Sequence, residues 1–434
     1  MRSETITPTK TLNVTANKQV GRAQYSQQSD GESVKTILII EPFVQGHHGA
    51  YLHWIIRALL GRGHSVKLAT FEPSVAHPSI LDLLSTCGDK LTIITEPVRS
   101  HETFDGNFIR MAVKMMMFRQ LLGDFYAVAS KRSRIDFILL PYLDYCTYAL
   151  ALAGSPFGST PWGGITMRAA FHYASMGVKA PTAKVQQIKK WLFGRLLRNP
   201  TLRVLFTIDQ TLFEYADIWT QDVRSRLIYL PDLAVTKPSV SRAVARERLK
   251  IGQDAWVILV YGSLTKRKGI EVLLQASECS DFPARCHLLL AGNQAPDATA
   301  ILQSPHAMRL RQAGRLHEIT HYLREEEGNT VFGAADAVWL GYCAHYQMSG
   351  VLVQAGMMGL PSIACEEGLI GWLTSRHQSG VVVPIADPSA VARKIKDLFE
   401  TPGRARECGN NGRKAYACHT EDHAAKVLLQ AIEG

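Results

Sequence analysis

Two short stretches combine residue types and spacing suited to holding an anion. The first is Gly262-Ser263-Leu264-Thr265-Lys266-Arg267-Lys268-Gly269. Three consecutive cations lie between an apolar run, Trp256 to Tyr261, and a helical periodicity that begins at Ile270. Cations at a helix N-terminus oppose its macrodipole unless an anion lies there too. A diphosphate removes the conflict, with Lys268 as its point-charge ligand; a solvated basic loop is the plainer alternative. The second stretch is Met348-Ser349-Gly350-Val351, which opens a helical run closed by Gly359-Leu360-Pro361. Ser349 is a good N-cap, Gly359 falls just past the last helical residue, and Pro361 prevents continuation. The free N–H groups of such a helix start form an anion site, and small residues there let a phosphate approach the backbone. An ordinarily capped strand–helix unit accounts for the same residues.

Three further signals carry other chemistry. His317-Glu318-Ile319-Thr320-His321 matches the H-E-x-x-H zinc motif, which requires a helix so that both histidines share a face. In a strand they lie roughly 13 Å apart, too far to share one metal, so no metal site is expected. Lys184 to Phe206 holds six cations and no acid, interleaved with Ile188, Trp191, Leu192, Phe193, Leu196 and Leu197. That composition suits an interfacial helix on anionic lipid; a core-facing helix with a basic solvated face fits equally. The Met-rich run Met111 to Phe118 is expected to be core packing rather than a ligand box.

The elements that must position these groups alternate strand and helix. Thr36 to Ile40 is a continuous apolar run, as expected of a strand buried on both faces. A loop, Glu41 to Gly49, and a helix from Tyr51 follow it. Strands are expected at Val66–Phe71, Leu91–Thr95, Phe137–Leu140, Gly164–Met167, Val204–Ile208 and Leu227–Leu230. The series restarts after a pause with Trp256–Tyr261, Leu288–Ala291, Ala337–Leu340, Ser362–Ala364 and Val381–Val383. The expected fold class is therefore α/β: two tandem Rossmann-like, doubly wound domains with a cleft between them. Boundaries are expected at a disordered leader, 1–33, an N-terminal domain, 34–232, a linker, 233–254, and a C-terminal domain, 255–434. The last helix is expected to pack back on the N-terminal domain.

The chain has 434 residues, 46% hydrophobic and 20% charged, which excludes a disordered or fibrous class for the bulk. Lys and Arg exceed the acids by 48 − 38 = 10, a balance that suits phosphates or an anionic surface. Eight cysteines without a C-x-x-C pair read as reduced thiols of a cytoplasmic protein. No stretch reads as membrane-spanning or as a secretory signal. The cations do not line one groove with stacking aromatics, so nucleic acid is not an expected partner.

From about Thr36 to Glu433 the chain resembles retaining, nucleotide-sugar-dependent glycosyltransferases of the GT-B architecture, of the family-4 type. The resemblance rests on Gly61-Arg62-Gly63-His64-Ser65-Val66, on Lys268-Gly269 in a G-x-L-x-x-x-K-G frame, on Leu289-Leu290-Ala291-Gly292, and on the block from Ala335-Asp336 to Pro361. Two departures stand out. Ser263 occupies the family's usual arginine position, leaving Arg267 or Lys266 to supply that cation. The family's glutamate pair falls on Tyr346 and Gln354, as in a subgroup with a Ser-Gly-Val-Leu helix start.

The resemblance implies a sugar transferred from a nucleotide diphosphate sugar to a glycan or lipid-linked acceptor, with retention, as in polysaccharide biosynthesis. No bound cofactor is implied; the nucleotide sugar is a substrate. Ser263, Arg267, Lys268, Ser349, Gly350 and Val351 would meet the diphosphate, Gln354 the ribose, and Glu367 and Gly368 the sugar. The Gly46–Gly49 loop would face the acceptor, making His47, His48 and Glu41 candidates. Arg168 and His172 lie nearest to the family's histidine after the strand at Gly164–Met167. An anionic membrane surface is an expected partner through 184–206, on the inner face of the membrane. A non-catalytic GT-B-like binding or membrane-associated subunit and a GT-B sugar epimerase stay open as alternatives.

Overall fold

The computed structural model describes residues 34–44, 47–96, 108–182, 184–234 and 240–434. The expected leader over 1–33, Gly46 of the expected acceptor loop and Pro238 of the expected linker lie outside the described residues.

Apolar runs become two parallel sheets. The first contains β1 (Thr36–Ile40), β2 (Ser65–Phe71), β3 (Leu91–Glu96), β4 (Phe137–Leu140), β5 (Trp162–Thr166), β6 (Leu202–Thr207) and β7 (Leu227–Tyr229), in the order β3-β2-β1-β4-β5-β6-β7. The second contains β8 (Trp256–Tyr261), β9 (Cys286–Ala291), β10 (Leu316–Ile319), β11 (Ala337–Leu340), β12 (Ser362–Cys365) and β13 (Gly380–Val383), in the order β10-β9-β8-β11-β12-β13. Every neighbouring pair is parallel, with registers such as Ile37↔Val66 and Ile258↔Leu288. Helices cover both faces, so central strands are buried throughout; β4 and β11 expose no residue.

The described residues gather into two compact units. One holds residues up to His172, Ala183–Leu230 and Ala425–Gly434; the other holds Tyr173–Thr182 and Pro231–Ala424. The helix Glu421–Glu433 thus ends in the first unit. There the Glu433 carboxylate accepts from Arg62 Nε at 2.9 Å and His64 Nε2 at 3.0 Å, and Lys35 Nζ donates to Ile432 O at 2.8 Å. In the second unit Arg246, fully buried, donates to Ala255 O at 2.7 Å, Gln253 O at 2.9 Å and the Asp336 carboxylate at 2.6 Å. Asp336 also accepts from Val257 N at 2.7 Å. Asp336 therefore clamps the helix Arg242–Arg248 to the starts of β8 and β11.

Several local expectations change. The first helix begins at His47 rather than Tyr51. Its Gly49 lies against Ser79, whose Oγ would be 2.7 Å from a Cβ there, so glycine here serves packing rather than a loop. Met116 and Met117 are 44% and 48% exposed, so the Met-rich run is not wholly core: one face of the helix Phe108–Ser130 turns outward. The H-E-x-x-H stretch is strand β10 and its continuation. His317 stacks on His287 of β9 with ring centroids 5.4 Å apart, whereas His321 pairs with Glu327 at 3.0 Å. The two histidines therefore turn to different partners.

Candidate functional site

The second sheet grows outward from β8 to β9 and β10, then returns to place β11 on the other side of β8. At such a switch point the loops leaving the strands' carboxyl ends part, and ligands bind there. The loop leaving β8 is Gly262–Gly269 and that leaving β11 is Gly341–Ser349. Sheet topology thus brings the two anion-binding stretches together.

The loops interlock at Gly269 and Lys268. Gly269 has φ +66°, and a Cβ there would stand 1.9 Å from Gly341 O, so only glycine fits. Trp339 Nε1 donates to Lys268 O at 2.9 Å, and Cys343 N donates to Arg267 O at 2.8 Å. Lys268 is buried; its Nζ donates to Tyr261 O at 2.8 Å and to the Tyr342 hydroxyl at 2.6 Å, 4.3 Å from the Tyr342 ring centroid. An ammonium has three N–H donors, so these two contacts leave one for an incoming oxygen. Arg267 is exposed and bonds His345 Nδ1 at 3.0 Å, while His345 Nε2 lies 3.3 Å from Met348 O. Ser263 is exposed at the opening of the loop.

Beside this cradle the helix Gly350–Met358 begins. Ser349 Oγ accepts from Val351 N at 3.3 Å, and Gly359, with φ +72°, closes the helix. Gly350, Val351 and Gln354 from its first turns line a cavity of about 280 Å³ with Leu233, Tyr261, Asn329 and Phe332. Tyr261 and Phe332 pack at 4.8 Å between ring centroids. One residue, Tyr261, joins the two halves: its ring lines the cavity and its carbonyl holds the Lys268 ammonium. Aromatic wall, side-chain amides, helix start and cation follow one another, an arrangement able to take a flat ring, a polyol and then an anion.

A third loop, after β12, reaches the same region. Gly368 has φ +79°; a Cβ there would lie 2.8 Å from Tyr346 Cα, and Leu369 N donates to Tyr346 O at 2.9 Å. Glu367 is exposed; burial first, and the Glu367 charge second, push the Tyr346 hydroxyl above the usual tyrosine range. The backbone that carries Glu367 thus lies against Tyr346, so the loop brings a carboxylate-bearing residue to a position that itself carries none. Gly368 N also donates to Lys179 O at 2.7 Å, and Lys179 pairs with Glu366 at 3.0 Å.

The first unit repeats the switch between β1 and β4. Glu41, following β1, is buried and lies 3.2 Å from His48 Nδ1; burial pushes its carboxyl up, against the pull of His48. The His48 ring packs on Tyr142 and Tyr145, and the exposed Arg168 lies 5.4 Å from the Tyr142 ring centroid. Asp144 fixes the loop that carries Arg168 by accepting from Thr166 Oγ1 at 2.8 Å and Met167 N at 2.7 Å. Burial raises its pKa, and the Tyr145 hydroxyl is pushed up to about 12, chiefly by burial.

Lys268, Arg267, Ser349, Gly350, Val351 and Gln354 thus come together, and Glu367 and Gly368 join them through Tyr346. Glu41, His48 and Arg168 gather round Tyr142. The side chain of His47 lies outside the described residues. His172 has no exposed surface; its Nε2 lies 2.9 Å from Thr211 Oγ1 and 3.2 Å from Asp209, which caps the helix Gln210–Tyr215. It therefore braces the end of β6 instead of facing solvent. Tyr261, Asn329, Phe332, Tyr342, Tyr142 and Asp144 were not among the residues singled out from sequence. For Tyr261, Tyr342 and Tyr142 the local signal is a tyrosine at or just past the carboxyl end of a strand; Asn329, Phe332 and Asp144 carry none.

Residues 241–415 match the family model described as "Glycosyl transferases group 1". D-inositol 3-phosphate glycosyltransferase 2 of Catenulispora acidiphila is 26% identical over 187 residues, 42% of this chain and 43% of that protein. D-rhamnosyltransferase WbpZ of Pseudomonas aeruginosa is 25% identical over 182 residues, 42% of this chain and 45% of that protein. The chain spans less than half the length of these curated relatives. Among solved structures, sucrose-phosphate synthase from Thermosynechococcus elongatus aligns with a TM-score of 0.65 at 18% identity, covering 91% of this chain and 98% of that one. Anabaena HepE in complex with UDP and glucose aligns at 0.60 and 14%, covering 92% and 99%. The fold is that of GT-B glycosyltransferases, and the comparisons support the group 1 family.

Proposed function

We propose that the protein transfers a hexose-type sugar from a nucleotide diphosphate sugar to a glycan or lipid-linked acceptor, with retention. The observation that carries this reading is the single free N–H of the buried Lys268, set between a helix start and an aromatic-walled cavity. The nucleoside would lie along Tyr261, Phe332 and Asn329, with Gln354 donating or accepting at the ribose. The diphosphate would meet Lys268, Arg267 and the N–H groups opening the helix at Gly350, where the macrodipole favours it. Glu367, beside Tyr346, would receive the sugar hydroxyls that the family's glutamate usually holds. Glu41, His48 and Arg168 would serve the acceptor, with the leaving diphosphate helping to take the acceptor proton on the same face.

The resemblance to HepE, solved with UDP, makes UDP the first nucleotide to test. Calorimetric titration should show UDP, GDP or ADP binding far more tightly than the matching nucleoside, and the matching diphosphate sugar should be consumed when acceptor is added. If no nucleoside diphosphate binds, the reading is wrong. Tyr346 and Gln354 in the places of the glutamate pair favour one second reading, a binding subunit without catalysis. Binding without transfer or donor hydrolysis would select it. Among the described residues no helix is long and apolar enough to cross a membrane. The reading places the protein on the cytoplasmic face, meeting an anionic membrane surface through 184–206.

A further inference from the structure

Three helices of the first unit, Phe108–Ser130, Thr147–Ala153 and Gln186–Leu197, surround a slot of about 150 Å³. Met115, Met116, Ala149, Leu152, Ile188 and Leu192 line it, and every atom facing it is apolar. Its mouth opens among exposed apolar side chains: Met116 is 44% exposed, Leu152 57%, Ile188 55% and Trp191 59%. With Val113 and Met117, these three helices carry half of the large apolar side chains that stand exposed among the described residues. Scattered exposed apolar residues need no explanation, but a contiguous patch marks a surface that is covered in use.

Charge decides what covers it. Lys184, Lys189, Lys190, Arg195 and Arg198 lie on or next to the same helix, and no acid occurs from 184 to 208. Lys189 contributes its stem to the slot, which leaves its ammonium at the rim. Arg195 lies 5.9 Å from the Trp191 ring centroid and donates to Ala151 O at 2.7 Å, so it also closes the end of the Thr147–Ala153 helix. A second copy docked face to face would set these cations against one another. An anionic lipid satisfies both features, with its phosphate at the cationic rim and its chain away from water.

We propose that this slot receives a hydrocarbon chain of an anionic bilayer lipid, with Lys184, Lys189 and Lys190 facing the headgroup. The proposal deepens the membrane reading above and is independent of the transferase chemistry. It adds a bound chain to electrostatic attraction, so binding has two separable parts.

The test uses the full chain and vesicles of phosphatidylcholine with or without phosphatidylglycerol. The protein should cosediment with the anionic vesicles and not with the neutral ones. Each cation near the surface is worth about fivefold in partitioning, so K184E/K189E/K190E together should lower it by roughly 100-fold or more. The uncharged pair M116S/I188S should lower it at low and high salt alike, because it removes apolar contact rather than charge. Phosphatidylglycerol brominated on its chains should quench parent emission more than that of Trp191→Phe. Absence of anionic-vesicle binding overturns the proposal. So does binding without differential quenching, or parent-like binding by the serine pair. A dimer in sedimentation velocity that M116S/I188S abolishes would assign the face to a second copy instead. UDP, GDP and ADP affinity is measured on the same variants; its absence in the parent counts against the transferase reading alone.

Discussion

Replacing Lys268 by methionine removes one charge while keeping an unbranched apolar stem. In the parent, the ammonium gives one N–H to Tyr261 O at 2.8 Å and another to the Tyr342 hydroxyl at 2.6 Å. The substitution therefore has two consequences of different origin. The Tyr261 carbonyl and Tyr342 hydroxyl lose a partner, an effect on folding of about 1–3 kcal/mol that relief of the buried charge offsets in part. The third N–H, assigned to the diphosphate, disappears as well. A charge-assisted hydrogen bond is worth about 1.5–3 kcal/mol, which weakens nucleotide binding by roughly 10- to 150-fold. Urea unfolding reads the first consequence. Calorimetric titration with UDP, GDP and ADP, well below the unfolding midpoint, reads the second. A folded variant whose affinity equals the parent's would remove Lys268 from the phosphate site, whatever its stability. Loss of stability with unchanged affinity would mean that the ammonium serves only to join two loops.

Asp336→Ala should cost about 3–5 kcal/mol, because it strands the buried Arg246 without its counter-charge. Urea midpoints check this, and an unchanged midpoint would refute the clamp; should the single variant not fold, Arg246→Met with Asp336→Leu should recover most of the loss. His419 is buried, donates from Nδ1 to Asp232 O at 2.7 Å, and is held by burial at a pKa of about 4, below the ordinary 6.5. The folded state resists protonation there, so its contribution is complete above about pH 6.5 and is lost as pH falls towards 4, on the order of 3 kcal/mol in all. The parent should lose more stability than His419→Gln between pH 7 and pH 4.5 (about 2–3 kcal/mol of difference). Parallel pH profiles would show that the imidazole does not titrate as assigned.

What the sequence disclosed follows the range of the forces involved. β1, β4, β8 and β11 were legible because strands buried on both faces become unbroken apolar runs. Ser349, Gly359 and Pro361 were legible because capping is settled within a few residues. Lys268 was readable by type, but its partner Tyr342 lies 74 residues away and meets it only because β11 pairs with β8. Asp144 and Arg168 likewise depend on β4 lying beside β5. The Met-rich run Met111 to Phe118 read as core by composition alone, which does not say which side of the helix Phe108–Ser130 turns inward; Met116 and Met117 stand exposed. His172 was readable by type, but the groups that hold its ring, Thr211 and Asp209, belong to a helix cap that the sequence near it does not announce.

The wiring of the two units bears on how the chain is made. Lys35, Arg62 and His64, near the start of the first sheet, find their partners on Ile432 and Glu433. During vectorial synthesis, their contacts must wait until the helix Glu421–Glu433 has left the ribosome. At roughly 5–20 residues per second, the 369 residues between His64 and Glu433 amount to about 20–70 seconds. For that interval the neighbouring surface of the first unit is open, and a nascent-chain chaperone or early misassociation would find it there. Excising either sheet at Pro231 would make this interval permanent. The N-terminal product would lack 425–434, and the C-terminal one would lack 173–182, the segment that supplies Lys179 to the Gly368 loop. A split protein would regain both only by exchange in trans.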